Sequence, residues 1–282
     1  MSVQAAHNLP NGSQTGEGRR IGVFDSGVGG LSVLRAIRKH LPLAELVYVA
    51  DSANAPYGER DDAFIAQRCH AISGFLASQA VDAIVVACNT ATAVAVQSLR
   101  EALPNLPIIG VEPGIKPGIA QSINKRVGVL ATPGTLASKK FKALVQAHGE
   151  EATLVLQPCP GLAKEIESGH LDGQPLRQLV EQFCAPMRQA GVDTVVLGCT
   201  HYPFAEALFR DVLGQHVNLL DTSEAVARRT ADLIKDAKPQ HSTREPSTVP
   251  TTSLWTTGSP QHLSDVAQGW LGWDFQAQHL PA

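Results

Sequence analysis

Short apolar runs alternate along the chain with longer stretches in which apolar residues recur every three or four positions. The runs are rich in valine, isoleucine and leucine, which is typical of parallel strands buried on both faces. Between them, helical spacing is clear from 31 to 41 and from 61 to 80. The alternation predicts an α/β fold with parallel sheets. The predicted strands are 21–24, 46–49, 83–87, 107–111, 127–130, 153–156, 194–198 and 217–220.

One part of the chain repeats another. Residues 81–88 align without a gap with 192–199, at a constant offset of 111 positions, and the strand that begins at Ile21 has a similar counterpart 106 positions later. Each aligned segment is a predicted strand that ends in a cysteine, Cys88 in one and Cys199 in the other. The repeat predicts two pseudo-symmetric, Rossmann-like lobes. Because ligands of open α/β sheets bind at the carboxyl ends of strands, we expect an active site in the cleft between the lobes.

The repeat also suggests how the chain is divided. A proline-rich turn at 112–114 ends one predicted strand and marks the boundary between lobes. A low-complexity stretch, 238–253, predicts a surface loop, after which the tail from Leu254 is expected to pack back onto the first lobe. The predicted parts are a flexible N-terminal arm at 1–20, a first lobe at 21–113 plus 217–282 that carries Cys88, and a second lobe at 114–216 that carries Cys199.

Composition and charge exclude several classes of function. The formal net charge is −3 and the pI is near 6.4, so there is no basic field to hold a nucleic acid. No apolar run approaches the ~20 residues that span a bilayer, and the first twenty residues are polar, so we expect a cytoplasmic protein with no membrane partner. The five cysteines form no C-x-x-C pair, which argues against a disulfide framework and against a metal site.

The two repeat-equivalent cysteines differ from the others in the residues that come after them. An isolated cysteine at a strand end is by default a small buried residue, and Cys69 and Cys184, which lie in helical patterns, keep that interpretation. Cys88 instead precedes Asn89 and a predicted helix, whose positive end should lower the thiol pKa toward neutrality. Cys199 has a similar predicted setting, and the histidine two positions after it could hydrogen-bond the thiol.

A pair of thiols across a cleft predicts proton exchange at one carbon atom, the chemistry of a racemase. One thiolate removes a proton from one face of the carbon while the other thiol protonates the opposite face. The loop after the first strand is not a dinucleotide fingerprint, because Ser32 replaces the last glycine of G-x-G-x-x-G. In that loop Asp25 could hold an ammonium group, orient a thiol, or simply cap a tight turn. The turn at 55–58 is open to the same two interpretations, a site element or a plain turn.

Together these segments resemble the glutamate racemases, bacterial enzymes that make D-glutamate for peptidoglycan. The resemblance covers about 20–235 and the tail from Thr256. It rests on IGVFDSGVGGLSVL, ADSANAPYGER, VVACNTATA, GVEP, VGVLATPGT and VVLGCTHYPF, with TTGSP in the tail. It implies a cofactor-independent enzyme, without pyridoxal phosphate or a metal, that acts on glutamate and forms a homodimer.

The resemblance also implies a role for particular residues. Thr132 and Thr135 occupy a plausible second-lobe position for the substrate carboxylate. The implied catalytic residues are Cys88 and Cys199, the auxiliary acid/base residues are Asp25, His201 and Glu167, and the substrate-binding residues are Asp25, Ser26, Tyr57, Gly58, Asn89, Thr90, Thr200 and His201.

Three other functions remain open at this point. An aspartate racemase, or a relative acting on another small carboxylate, would share every catalytic argument. A two-lobed binding protein would capture a small acid without exchanging its proton. A hydrolase would use one thiol as a nucleophile and form a covalent adduct at that cysteine alone.

Overall fold

The computed structural model describes residues 16–235 and 251–281. Most of the predicted N-terminal arm and of the predicted loop at 238–253 lies outside these residues. Within them, no helix has both the length and the apolar character needed to cross a membrane.

The first of two sheets has six parallel strands. Side chains along its central strands point alternately to the two faces of the sheet. Val23 and Val85 face one layer of helices, while Phe24 and Val86 face the other. This burial on both faces is why the sequence shows continuous apolar runs. The strands are β1 (Arg20–Asp25), β2 (Glu45–Ala50), β3 (Ala83–Val86), β4 (Ile108–Gly110), β9 (Thr252–Thr256) and β10 (Gln278–His279), in the order β10-β9-β2-β1-β3-β4.

The second sheet has four parallel strands. They are β5 (Arg126–Ala131), β6 (Thr153–Pro158), β7 (Thr194–Gly198) and β8 (Asn218–Leu220), in the order β6-β5-β7-β8. This order has the same plan as β2-β1-β3-β4 of the first sheet. The sequence repeat therefore corresponds to a repeated topology, and the predicted α/β fold with parallel sheets is confirmed.

Helices cover both faces of each sheet. Those nearest the first sheet include the helix at Ser223–Lys235, which returns to it after the second sheet and places Ala227 and Ile234 in the same apolar cluster as Val23. The helices are α1 (Leu31–His40), α2 (Asp62–Ser78), α3 (Asn89–Ala102), α4 (Ile115–Gln121), α5 (Pro133–Ala137), α6 (Lys139–His148), α7 (Leu162–Glu167), α8 (Gln174–Ala190), α9 (Glu206–Leu213), α10 (Ser223–Lys235) and α11 (Pro260–Leu271).

Two details differ from the prediction. The predicted boundary at 217 assigned the last short strand to the first lobe, but β8 pairs with β7 in the second sheet. Periodicity could not show this, because a strand of three residues carries no signal of which sheet it joins. In the tail, β9 begins at Thr252, two residues before the predicted start at Leu254, and pairs with β2, so the tail does pack onto the first sheet. The division into two lobes stays a prediction.

Candidate active site

Both repeat-equivalent cysteines line one cavity at the carboxyl ends of the two sheets. Cys88 follows β3 of the first sheet and Cys199 follows β7 of the second, and each side chain is almost fully buried. The empty space between its lining residues, including the part open to solvent, is about 290 Å³. It is lined by Ser26, Pro56, Tyr57, Gly58, Cys88, Asn89, Thr90, Thr132, Ala163, Cys199, Thr200 and His201.

Cys88 caps the N-terminus of α3. Its sulfur accepts a hydrogen bond from the Ala91 backbone N–H at 3.4 Å, and its thiol donates to Ser26 Oγ at 3.8 Å. Burial is nevertheless the dominant influence and raises the pKa of Cys88 well above its ordinary value, and the charge of Asp25 raises it further. The predicted helix-end position is therefore confirmed, but the expectation of a lowered pKa is wrong for this thiol.

Cys199 has a different setting from Cys88. The short 3₁₀ helix after it begins only at Tyr202, with His201 rather than the cysteine at its N-cap. The expectation that both thiols precede a helix end in the same way is thus wrong. The Cys199 sulfur instead lies 3.7 Å from His201 Nδ1, in agreement with the predicted cysteine–histidine contact.

The imidazole of His201 connects Cys199 to a carboxylate. His201 Nε2 lies 2.5 Å from Glu167 Oε2, at the end of α7. Burial lowers the pKa of His201, but its hydrogen bonds to Cys199 and Glu167 outweigh this and raise the pKa well above its ordinary value. Burial likewise raises the pKa of Glu167, yet the hydrogen bond and charge of His201 bring it below the ordinary value. The arrangement favours an imidazolium–carboxylate pair beside the Cys199 sulfur.

Glu167 is also anchored to the first half of the chain. Its carboxylate accepts hydrogen bonds from the Val28 backbone N–H at 2.8 Å and from Ser52 Oγ at 2.9 Å. Close approach explains two glycines in the DSGVGG segment. A Cβ atom at Gly27 would collide with the Glu167 carboxylate, and one at Gly29 would collide with the His201 ring.

Asp25 lies behind the cavity rather than in its wall. Its carboxylate accepts hydrogen bonds from the backbone N–H groups of Ser26 at 2.8 Å and Gly30 at 2.6 Å, and from Thr200 Oγ1 at 3.1 Å. It therefore caps the turn, as one interpretation predicted, and also contacts the residue beside Cys199. A role of Asp25 toward a substrate ammonium group or a thiol stays a prediction. Burial raises the pKa of Asp25; the charge of His201 opposes this, and that of Glu167 adds to it.

Hydroxyl and amide groups form the remaining wall. Thr90 Oγ1 lies 3.1 Å from Thr132 Oγ1, which in turn donates to Thr135 Oγ1 at 2.9 Å. Gly58 packs against Thr132 so closely that an added Cβ would lie 2.9 Å from the threonine Cβ. Among the described residues, the Asn89 amide nitrogen is buried without a hydrogen-bond partner. Such a donor is suited to a ligand oxygen.

The part of the chain that the structure describes contains no group of three or more histidine, cysteine, aspartate or glutamate side chains placed to hold a metal ion. The expectation of an enzyme without metal or cofactor stays a prediction.

Sequence comparison assigns the family. The sequence profile of the Asp/Glu/Hydantoin racemase family matches residues 31–230. The chain belongs to this family. It is therefore an isomerase of the racemase type.

The racemase is similar to several glutamate racemases over most of its length. It is 44% identical over 250 residues to that of Pseudomonas aeruginosa, covering 89% of this chain and 93% of the relative. It is 45% identical over 252 residues to that of Ectopseudomonas mendocina, covering 89% and 94%. Among solved structures, Escherichia coli glutamate racemase in complex with L-glutamate and the activator UDP-MurNAc-ala matches with a TM-score of 0.83 and 31% identity, covering 94% of this chain and 98% of the other.

The structure brings into the racemase site residues that the sequence did not single out. Ala163 lines the cavity, Tyr48 donates a hydrogen bond from its hydroxyl to the Gly27 carbonyl at 2.6 Å, and Asp51 accepts one from the Tyr57 hydroxyl at 2.5 Å. Pro56, in the turn at 55–58 that the sequence left open as a site element, lines the cavity as well. Asp51 and Pro56 lie inside the ADSANAPYGER segment, so the motif held a signal for them. The other two carry no local signal, because a tyrosine within a strand and an alanine within a helix are typical core residues.

Proposed function

We propose that the enzyme interconverts L- and D-glutamate by proton transfer between the substrate Cα and the thiols of Cys88 and Cys199, with no metal or cofactor. The observation that carries this proposal is that the two thiols, one from each sheet, line the same cavity. Geometry of this kind suits a reaction that needs one proton acceptor and one proton donor on opposite faces of a carbon atom.

In each turnover one sulfur, as thiolate, takes the Cα proton, so that the C–H bond breaks and an S–H bond forms. The electron pair stays on the substrate and is delocalised into its carboxylate group. The second thiol then gives its proton to the opposite face of Cα and becomes the thiolate. The reverse reaction exchanges the two roles, and no electron is gained or lost.

The two thiols have different surroundings. His201, whose pKa is raised by its hydrogen bonds despite burial, would stand as an imidazolium beside the Cys199 sulfur. Cys88, whose pKa burial and Asp25 raise, would stand as the neutral thiol.

Glutamate is the proposed substrate for two reasons. Curated relatives at 44–45% identity over most of this chain carry the name glutamate racemase, and the similar Escherichia coli enzyme was solved with L-glutamate. The cavity also offers a donor that suits a carboxylate, namely the unpartnered amide of Asn89. We further propose a cytoplasmic homodimer whose D-glutamate supplies peptidoglycan synthesis, as the family resemblance implies.

Isotope exchange tests the proposal directly. The protein is incubated in heavy water with L-glutamate, D-glutamate or L-aspartate, and deuterium at Cα and optical rotation are followed. We expect deuterium incorporation and loss of rotation with both glutamate enantiomers. Exchange with aspartate alone would overturn the proposed substrate in favour of an aspartate racemase.

The cysteine variants test the two-thiol mechanism against binding or hydrolysis. Cys88→Ala and Cys199→Ala should each abolish racemisation, whereas Cys184→Ala, outside the cavity, should leave it unchanged. Glutamate binding by the wild type without Cα exchange would favour a binding protein. A substrate adduct trapped at a single cysteine would favour a thiol hydrolase.

A further inference from the structure

A buried carboxylate outside the cavity joins three distant parts of the chain. Asp51, which directly follows β2, is fully buried. Its Oδ2 accepts hydrogen bonds from the Tyr57 hydroxyl at 2.5 Å and from Arg68 Nε at 3.0 Å. Its Oδ1 accepts from Arg68 Nη2 at 2.9 Å, Thr257 Oγ1 at 2.8 Å and Asn54 Nδ2 at 3.0 Å. The loop after β2, helix α2 and the C-terminal tail thus meet at one side chain.

The register of the tail strand brings Thr257 to this carboxylate. β9 runs parallel to β2 with Thr256 opposite Ala50, so the next residue of the tail lies beside Asp51. Besides donating to Asp51, Thr257 Oγ1 accepts a hydrogen bond from the Ala53 backbone N–H at 3.2 Å. One buried hydroxyl therefore holds both the carboxylate and the start of the loop.

The segment that Asp51 holds contributes to the active site at two points. Ser52 donates to Glu167, which contacts the histidine beside Cys199. Farther along, Tyr57 and Gly58 form part of the cavity wall. Burial and the neighbouring Asp51 charge raise the pKa of Tyr57, so its hydroxyl keeps its proton and remains a donor.

We infer that Arg68 and Thr257 are positioning residues for the racemisation: they fix the Asp51 carboxylate, which in turn holds Tyr57 in the cavity wall. Neither residue lines the cavity, so both act through others. A buried carboxylate needs such partners, because an uncompensated buried charge is strongly unfavourable and would reorient toward water. The inference gives the TTGSP segment of the tail a role in the reaction and rests on the proposed function.

The first test replaces Thr257 and measures steady-state kinetics with glutamate. Thr257→Val keeps the side-chain volume but removes a hydrogen bond to a charged group, so we expect KM to rise about five- to tenfold while kcat changes less than about threefold. Thr257→Ser should restore KM to within about twofold of the wild type, because the hydroxyl is kept. The control is Thr230→Val, a buried threonine in α10 whose hydroxyl donates to the Val226 carbonyl.

Arg68 is tested in the same way. Arg68→Met should raise KM at least as much as Thr257→Val, and Arg68→Lys should rescue only part of the effect, because an ammonium group cannot reproduce the two-point contact. Arg177→Met is the matched control, since Arg177 pairs with Asp211 on the surface. If Arg68→Met does not fold, the Thr257 variants decide the question.

A double-mutant cycle separates positioning from a merely structural role. If Thr257 acts through Tyr57, then adding Tyr57→Phe to Thr257→Val should raise KM by less than about twofold beyond the larger single effect. Additive effects, or an unchanged KM in Thr257→Val, would overturn the inference. If the wild type exchanges aspartate but not glutamate, the proposed function fails while the same cycle, run with aspartate, still tests the positioning role.

Discussion

Thr200 Oγ1 donates a hydrogen bond to Asp25 Oδ2 at 3.1 Å, and this contact joins the carboxyl ends of the two sheets. The same carboxylate accepts from the Gly30 backbone N–H, so one buried group orders the glycine-rich loop and the residue next to Cys199. Its negative charge also raises the pKa of Cys88. Asp25 is therefore placed to influence both thiols, one by contact through Thr200 and the other by charge.

Replacing Asp25 by asparagine should make Cys88 easier to ionise. Burial raises the pKa of Cys88 most, and the Asp25 charge is the next contribution. In Asp25→Asn the burial remains but the charge is lost, so the pKa of Cys88 should move down. Thiolate absorbance in the ultraviolet, taken as the difference between proteins with and without Cys88→Ser, measures it. An unchanged titration would contradict the prediction, and Asp211→Asn, on the surface, serves as control.

Adding a methyl group at Gly29 should disturb the histidine beside Cys199. The new Cβ would collide with the His201 ring, and overpacking of this kind costs about 1–3 kcal/mol. We expect Gly29→Ala to lower kcat at least tenfold, since the imidazole must move away from the sulfur. Gly74→Ala is the control: nothing lies within 4 Å of its added Cβ, and alanine in a helix should stabilise the protein by about 0.5–1 kcal/mol. If Gly29→Ala were as active as Gly74→Ala, the close contact between Gly29 and the His201 ring would be refuted.

Strand positions and the pairing of the two thiols could be predicted because both depend on local or repeated patterns. Parallel strands buried on both faces leave apolar runs, and the gapless repeat gave Cys88 and Cys199 equivalent places. Cys69 and Cys184 lie in α2 and α8, as their helical patterns indicated, and neither lines the cavity.

The features that could not be predicted depend on contacts between distant residues. The pKa of Cys88 follows from how completely the fold buries it, which no local pattern reports. The repeat suggested equal settings for the two thiols, yet only Cys199 has an imidazole partner and only Cys88 caps a helix. Asp51 accepts a hydrogen bond from the hydroxyl of Thr257, which is far away in the sequence. This contact forms only because β9 pairs with β2.

The rate should remain high at unusually alkaline pH. Each turnover needs one thiolate and one neutral thiol, so the rate falls when the second thiol ionises. Burial, with the Asp25 charge, raises the pKa of Cys88 well above 9.0, which keeps this thiol protonated. The descending limb of kcat/KM should therefore lie above pH 9.0. A fall in kcat/KM that is complete below this pH, while circular dichroism shows a folded protein, would contradict the assignment.

The contact between Glu167 and His201 should stabilise the fold in a defined pH range. Burial opposes the charge on both groups, but their mutual hydrogen bond prevails: the pKa of Glu167 is lowered from 4.5 and that of His201 is raised from 6.5. A lowered carboxylate pKa contributes stability above 4.5 that is lost as pH falls through the folded value. A raised histidine pKa contributes stability below 6.5 that is lost as pH rises through the folded value. The full contribution of the pair therefore spans pH 4.5 to 6.5.

Glu167→Gln tests this range by urea unfolding at a series of pH values. We expect the variant to lose roughly 2 kcal/mol of unfolding free energy within the range, the value of a hydrogen bond to a charged group, and progressively less on either side. Glu150→Gln, at an exposed position, should show no such dependence. A loss of stability in Glu167→Gln that stays constant from acidic to alkaline pH would mean that the two groups do not form an ion pair. The imidazolium beside the Cys199 sulfur would then have to be abandoned as well, because it depends on the same raised pKa of His201.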